Sequence, residues 1–296
     1  MSTLREQWLS HLAANAPETT SSGNGSCYLS ELAVIAFTGT DAPAFLQGYL
    51  TCDTTSLTAE RLQPWALCNL QGRVVANGWC KAGNDDDVEL ILHRSLTPAL
   101  ADFFKPYLLF SQAELSTRTE DALVFGSLNG AKPGSLAVGK GERLSIVADF
   151  SSALAIYDAT ASPNAWYASL FASGTCLLNK DTSAAFLPQM LGLAEIGAVS
   201  FDKGCYLGQE VVARAQHRGS VKRRLQQLSW QGSEPAAGAS LLAENGAKAG
   251  TVINAVATQA DTGIALAVIN NAVSYPLQLA ETPDEPHQNT LFTAAD

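Results

Sequence analysis

Runs of apolar residues divide the chain into two textures. Leu32 to Phe37 reads as a short apolar strand ending at Thr38-Gly39-Thr40. Asp41 is then placed to cap a helix in which Ala42, Phe45, Leu46, Tyr49 and Leu50 recur at helical spacing. Pro43 falls in its first turn, where a missing N–H costs little. Trp65 to Cys68 and Arg73 to Cys80 read as two strands around a turn at Asn69-Leu70-Gln71-Gly72. An acidic turn, Asn84-Asp85-Asp86-Asp87, precedes a strand at Val88 to Leu92. Thr97-Pro98 opens a helix with Leu100, Phe103, Phe104 and Tyr107 on its inner face. Residues 121–158 hold short strands between Gly- and Ser-containing turns, and Asn164 to Ala172 reads as a helix carrying Trp166.

From Leu225 the pattern changes. Short apolar stretches at Leu225–Trp230, Ala239–Ala243, Gly250–Ala257, Gly263–Ile269 and Tyr275–Leu279 alternate with turn residues, and one last strand is expected at Thr290–Thr293 after a polar, acidic stretch. The expected fold class is α+β, with ferredoxin-like lobes followed by a small C-terminal antiparallel β-barrel. The boundary falls near residue 226, giving an α+β region over 1–225 and a barrel over 226–296. No internal repeat or low-complexity segment interrupts this plan.

With 296 residues and 47% hydrophobic content, the chain can bury a sizeable core. No apolar run is long enough for a membrane span, and the start lacks the apolar centre of a signal peptide, so a soluble, cytoplasmic protein is expected. The six cysteines, at 27, 52, 68, 80, 176 and 205, form no CxxC pair and are expected as thiols. Four scattered histidines offer no zinc spacing, so no metal held by this chain alone is expected. A single cysteine could supply one ligand to an iron–sulfur cluster shared with a partner, but not a whole set. Walker-type phosphate loops and nucleophile elbows are absent.

The net charge of −10 argues against a general nucleic-acid coat. Yet Lys203, Arg214, Arg218, Lys222, Arg223 and Arg224 face the single acid Glu210 within residues 203–224, a local balance of +5 that leaves −15 elsewhere. This basic patch is either a solvated face or a dock for an anionic ligand or partner. It overlaps the run with the most chemical content, FDKGCYLGQEVVAR from Phe201 to Arg214. Cys205 lies there between Gly204 and Gly208, after Lys203 and before a helix-forming stretch. A nearby ammonium and a helix N-terminus both favour thiolate over thiol. On these residues alone, a reactive thiol and a packed one are both open.

The string KGCYLGQEVVAR, preceded by AFLPQMLGL and followed by HRGSVKRRL, resembles the signature of the YgfZ-type folate-binding family. FTGTDAPAFLQGYLTCD and CNLQGRVVAN extend the resemblance into the N-terminal half. That family is related to the glycine-cleavage aminomethyltransferase and includes mitochondrial iron–sulfur assembly factors. The resemblance implies two intertwined folate-binding lobes that meet the barrel in a ring, with tetrahydrofolate or a derivative in the central hole. It makes Cys205 and Lys203 the candidates for chemistry. Trp166, Asn77, Asp53, Gln189, Gly204, Tyr206 and Gln209 become candidate folate contacts, Trp166 by stacking on the pterin or aminobenzoyl ring. Iron–sulfur client enzymes, such as the radical enzymes that thiomethylate transfer RNA, are the implied partners.

Two departures from the family pattern concern the folate pose. Leu32 stands where some members carry a second tryptophan, and Ala172-Ser173-Gly174-Thr175-Cys176 lacks the family's proline. A third concerns catalysis: where aminomethyltransferases carry adjacent carboxylates, this chain reads Ala76-Asn77, and an amide cannot exchange a proton at a useful pKa. The expectation is therefore an accessory protein rather than a transferase. The alternative, a folate-dependent one-carbon transferase or demethylase, would rely on Asp53, which reads equally well as a turn residue. Direct RNA binding through Arg214, Arg218, Lys222, Arg223 and Arg224 is a third possibility, disfavoured by the acidic bulk.

Overall fold

The computed structural model describes residues 2–15, 24–84, 87–218, 221–280 and 290–295. The acids at 85 and 86, the side chain of Arg218 and the acidic stretch 281–289 lie outside the described residues.

Three bodies share the chain. The first is an antiparallel five-stranded sheet of order β3-β4-β5-β2-β6, with β2 at Leu32–Thr38, β3 at Gln63–Cys68, β4 at Val74–Ala82, β5 at Val88–His93 and β6 at Glu114–Thr117. The second is an antiparallel four-stranded sheet of order β1-β7-β9-β8, with β1 at Gly25–Tyr28, β7 at Leu123–Leu128, β8 at Leu136–Ala137 and β9 at Glu142–Val147. The third is a closed six-stranded barrel of β10 (Arg223–Gln231), β11 (Ser240–Leu242), β12 (Lys248–Gln259), β13 (Thr262–Asn270), β14 (Leu277–Leu279) and β15 (Leu291–Ala294). The chain thus enters the second sheet at β1, crosses to the first at β2, and returns only at β7.

The barrel strands were readable because they are apolar nearly throughout, and their two faces explain why. On β13, Ala265, Ala267 and Ile269 point into the barrel core with Leu228, Trp230 and Phe292. The alternate residues Leu266 and Val268 belong to the core shared with the lobes. Strands covered on both sides lose the usual alternation.

Among the described residues six α-helices complete the fold: α1 (Leu4–Ala14), α2 (Ala42–Gln47), α3 (Thr97–Leu108), α4 (Phe150–Ile156), α5 (Pro163–Ala172) and α6 (Gln209–Arg218). Helix α5 lies between β7, β9 and β1 on one side and β12 and β13 on the other. A helix enclosed this way carries apolar residues all round, as Trp166, Leu170 and Phe171 do.

The structure departs from the sequence reading at several elements. Asp41 does not cap α2; its carboxylate accepts from Ser111 Oγ (2.6 Å) and Gln112 N (3.3 Å), so it ties the end of α3 to the start of α2. Helix α2 stops at Gln47, leaving Tyr49 and Leu50 beyond it. Tyr107 is 43% exposed rather than inward. Within 121–158, residues Phe150–Ile156 are helical, capped by Asp149 on Ser152 N (2.8 Å). Helix α1, closed by a Thr3–Glu6 capping box, buries only Trp8.

Residues 176–178 cross between the bodies and are held from both sides by asparagine amides. Asn77 on β4 donates to Cys176 O (2.8 Å) and accepts from Leu178 N (2.8 Å). Asn254 on β12 accepts from Leu177 N (3.0 Å) and donates to Leu177 O (2.8 Å). A register shift between Val252 and Asn254 brings Asn254 opposite Leu266, a strand residue on the lobe-facing side. A neutral amide supplies the donor and the acceptor together, which an ionised carboxylate of the same shape does not.

Asn77→Asp removes the donor facing the Cys176 carbonyl and buries a carboxylate, whose pKa rises with burial. A raised folded-state pKa means that the folded chain binds the proton more tightly than the unfolded chain, so the deficit shrinks as pH falls. We expect a loss of about 3 kcal/mol at neutral pH, smaller at about pH 5, in denaturant unfolding. Wild-type stability at neutral pH would contradict the clamp.

Candidate functional site

The loop of Cys205 is laced onto residues 48–52. Thr51 Oγ1 donates to Ala198 O (2.5 Å), and Ser200 N donates to Thr51 O (2.8 Å). The Lys203 ammonium donates to Leu50 O (2.7 Å) and Cys52 O (2.6 Å). Leu207 N donates to Gly48 O (3.0 Å). Cys205 sits between the last two anchors with its residue exposed, whereas Cys27, Cys52, Cys68, Cys80 and Cys176 are all buried. Burial pushes the thiols of Cys27, Cys68 and Cys176 up to about 12, which makes them inert as nucleophiles at neutral pH.

The two glycines of the motif differ. Gly208 has φ +80, and a Cβ there would lie 2.4 Å from Asn69 O. Gly72, with φ +69, would push a Cβ to 2.8 Å from Val211 Cβ, so hairpin and turn meet in a contact that only glycine permits on both sides. Around a Cβ at Gly204, by contrast, there is open space. Close backbone approach is therefore a feature of Gly208 and Gly72, not of Gly204.

The ammonium of Lys203 is committed to carbonyls. It also lies 5.5 Å from the centroid of the Tyr206 ring. Burial lowers its pKa, opposed by Cys52, Asp53 and Cys80. Its function visible in the fold is to fasten the loop that presents Cys205. Tyr206 is buried beneath it, its phenol pushed up chiefly by burial. Gln189 is also a fastener: its Nε2 donates to Val212 O (2.9 Å) on α6. Gln209 is half-buried in the first turn of α6.

Asp53 caps a 3-10 turn at Thr54–Ser56, accepting from Thr55 N (3.1 Å), Thr55 Oγ1 (2.7 Å) and Gln47 Nε2 (2.9 Å). The Thr55 hydrogen bond leads in holding its carboxyl below the ordinary value. Asn77 is buried in the clamp described above. Neither group is placed as a proton shuttle.

Along α6, Arg214 is exposed and pairs with Glu210 (2.7 Å), an open ion pair of little energetic weight. Lys222, Arg223 and Arg224 are exposed beyond it, with Arg223 Nε donating to Asn270 Oδ1 (3.1 Å). The described part of the patch therefore lies on the helix that follows Cys205 and on the start of β10.

A second candidate is a cavity of about 430 Å³ where the three bodies meet. It takes Glu31 from the β1–β2 turn, His93 from the end of β5, Tyr167 and Phe171 from α5, Glu234 from the β10–β11 loop and Asn254 from β12. Its volume is that of a small-molecule site. His93 Nδ1 accepts from Ser95 N (3.2 Å), so its Nε2 carries the proton that faces Glu31 Oε2 at 3.3 Å. Burial lowers the pKa of His93, outweighing the opposing effect of Glu31. Tyr167 and Phe171 are stacked, with centroids 5.7 Å apart and planes at 27°. Trp166 does not line this cavity; it is 0% exposed. Sequence reasoning missed Tyr167, Glu31 and His93, and the one available signal was Tyr167's position beside Trp166. Among the described residues, no group of three or more His, Cys, Asp or Glu is gathered to hold a metal ion. No helix among them is long and apolar enough to cross a membrane.

No protein-family model matches the chain. A protein named tRNA-modifying protein YgfZ from Sodalis glossinidius is 28% identical, over 82% of this chain and 84% of its own. Another of that name, from Yersinia pseudotuberculosis, is 29% identical over 82% of this chain and 83% of its own. Among solved structures, glycine cleavage system aminomethyltransferase T from Bartonella henselae matches with a TM-score of 0.68 and 15% identity, covering 93% of this chain and 86% of that one. At 15% identity that likeness is one of fold.

The arrangement predicts one fast thiol. In native protein, a disulfide reagent such as DTNB should titrate a single cysteine, with five more reacting only after denaturation. Cys205→Ala should remove the fast one; a fast phase that persists in this variant would place the accessible thiol elsewhere.

Proposed function

We propose that this chain, a homologue of the YgfZ proteins with the fold of an aminomethyltransferase, is a folate-binding accessory protein in transfer-RNA modification. It supports synthesis or repair of iron–sulfur enzymes, including those that thiomethylate transfer RNA, and Cys205 is its working thiol. The observation that carries this reading is the rigidly presented Cys205, the exposed thiol of a chain that buries its five others. A sulfur held on a loop anchored at Lys203 and Leu207 is positioned to meet a partner's cluster or sulfur intermediate, and the adjacent cations of Arg214 and Lys222–Arg224 favour an acidic partner surface.

The junction cavity suits a folate. Tyr167 and Phe171 give its lining aromatic surface, and Glu31 and Glu234 supply carboxylate acceptors of the kind that the N–H groups of a pterin need. Tetrahydrofolate supplies one-carbon chemistry wherever it is bound to a transferase. The two positions to which the resemblance points for proton transfer are used otherwise here. Asn77 clamps backbone, and Asp53 caps a turn. That weighs against one-carbon transfer and for folate as a regulatory or structural ligand. Six free cysteines agree with a reducing, cytoplasmic setting. The acidic bulk of the chain favours an indirect effect on RNA, through client enzymes.

In cells deleted for the gene, wild-type protein should restore both thiomethylated transfer RNA and the activity of an iron–sulfur enzyme. Asp53→Asn should restore them equally, whereas a transferase that used Asp53 would lose the rescue. Failure of the wild type to restore either readout would overturn the proposal.

A further inference from the structure

Among the described residues, three large apolar side chains are more than two-thirds exposed: Leu70 (73%), Leu109 (80%) and Phe110 (91%). All three stand on fastened turns. Leu70 tips the β3–β4 hairpin, where Asn69 Oδ1 accepts from Gln71 N and Arg73 N, both at 3.0 Å, and Gly72 N donates to Asn69 O (2.8 Å). Leu109 and Phe110 follow α3. Phe110 N donates to Tyr107 O (3.2 Å), Ser111 N donates to Leu108 O (3.1 Å), and the Asp41 carboxylate holds Ser111 and Gln112. A Cβ on Gly39, just past β2, would lie 2.8 Å from Gln112 O, so this turn is also pressed against its neighbour. Apolar side chains held out to water on ordered turns contribute nothing to the fold that presents them, which is the mark of a surface meant to be covered.

Both turns join the loop of Cys205. Gly208 lies against Asn69 O, one residue from Leu70. From the other turn, Tyr107 packs on Tyr49 with ring centroids 5.3 Å apart, and the adjoining Gly48 O accepts from Leu207 N. The exposed thiol therefore shares its supports with the three most exposed apolar side chains. The exposed cations Arg214, Lys222 and Arg224 continue from that loop along α6 and the start of β10.

This composition narrows the occupant. Leucine has no ring face on which a base could stack, so Leu70 and Leu109 suit a protein better than a nucleic acid. A chain of net charge −10 is repelled by an anionic lipid surface. A second copy would present the same cations, whereas an acidic partner complements them. We propose that Leu70, Leu109 and Phe110, with Tyr107, form the docking surface that brings an iron–sulfur client protein to Cys205. The client offers an apolar seat for these side chains and acidic residues opposite α6 and β10. The proposal rests on the accessory-protein reading above and supplies the surface through which it acts.

The test measures binding of the full chain to a purified radical enzyme that thiomethylates transfer RNA, its clusters intact, beside rescue in cells deleted for the gene. Leu70→Ser and the double variant Leu109→Ser, Phe110→Ser should each weaken binding about tenfold or more and reduce rescue. Their thermal midpoints and the fast reaction of Cys205 with DTNB should match wild type, and Leu154→Ser, an exposed change on α4, should bind and rescue as wild type does. Weaker binding together with a lower midpoint or a slower Cys205 would mean a structural role and overturn the proposal. Undiminished binding in both variants, or none by a wild type that rescues, would overturn it while leaving the accessory reading intact. A wild-type dimer in sedimentation velocity that the double variant disperses would assign the face to self-association, and transfer-RNA affinity lost in the same variants would assign it to RNA; either overturns it. If wild type does not rescue, the accessory reading fails and the inference falls with it.

Discussion

The pairing of residues 176–178 with two asparagines is the constraint on which the arrangement of the three bodies depends. This segment follows α5, which already lies between the second sheet and the barrel. Asn77 secures it to the first sheet, and Asn254 secures it to the barrel. Each amide replaces a stretch of strand pairing that the irregular backbone could not otherwise find, and buried peptide groups left unpaired cost about 1–3 kcal/mol each. Leu177 and Asn254 also line the junction cavity, so the same four hydrogen bonds that join the bodies set the shape of its wall. An amide suits position 77 because the place it occupies needs a donor and an acceptor together.

The Cys205 loop solves a different problem. A thiol that must be reachable cannot be stabilised by burial, so its position has to be fixed by neighbours. Lys203, Leu207 and Ser200 bind the backbone of residues 48–52, while Gly208 and Gly72 let the following turn press against the hairpin. A half-buried ammonium on two carbonyl oxygens is a charge-assisted contact in a partly desolvated place, stronger than an exposed ion pair. The lysine thereby acts on the cysteine through geometry. Placing the ligand cavity on α5 and the thiol on a separate loop gives the two candidate functions independent supports, with no lining residue in common.

Much of this was legible in the chain and some was not, for physical reasons. The barrel strands and the helix at Asn164 to Ala172 announce themselves because burial on two sides leaves long apolar runs. The Cys205 turn is legible because Gly208 and its neighbours form a dense local pattern. By contrast, β1 is only four residues long and pairs with β7 about a hundred positions away, information that no local window contains. Helix α1 is polar over most of its surface and buries one residue fully, Trp8, packed among Phe125, Phe150 and Tyr157. The partners of Lys203 are backbone carbonyls, which carry no residue signature. Tyr167 and Trp166 are adjacent in sequence but face different surroundings, and composition favours the larger indole. Only the packing of Gly126 against that indole separates them.

The central claim is that Cys205 is a working thiol and that the loop around it exists to present it. The direct measurement is rescue of thiomethylated transfer RNA in cells lacking the protein, comparing wild type with Cys205→Ala at matched steady-state levels. Cys205 is exposed, so its loss should leave folding intact. The account predicts rescue by wild type and none, or only a small fraction, by Cys205→Ala. Equal rescue by both would contradict it and leave the thiol without a chemical role.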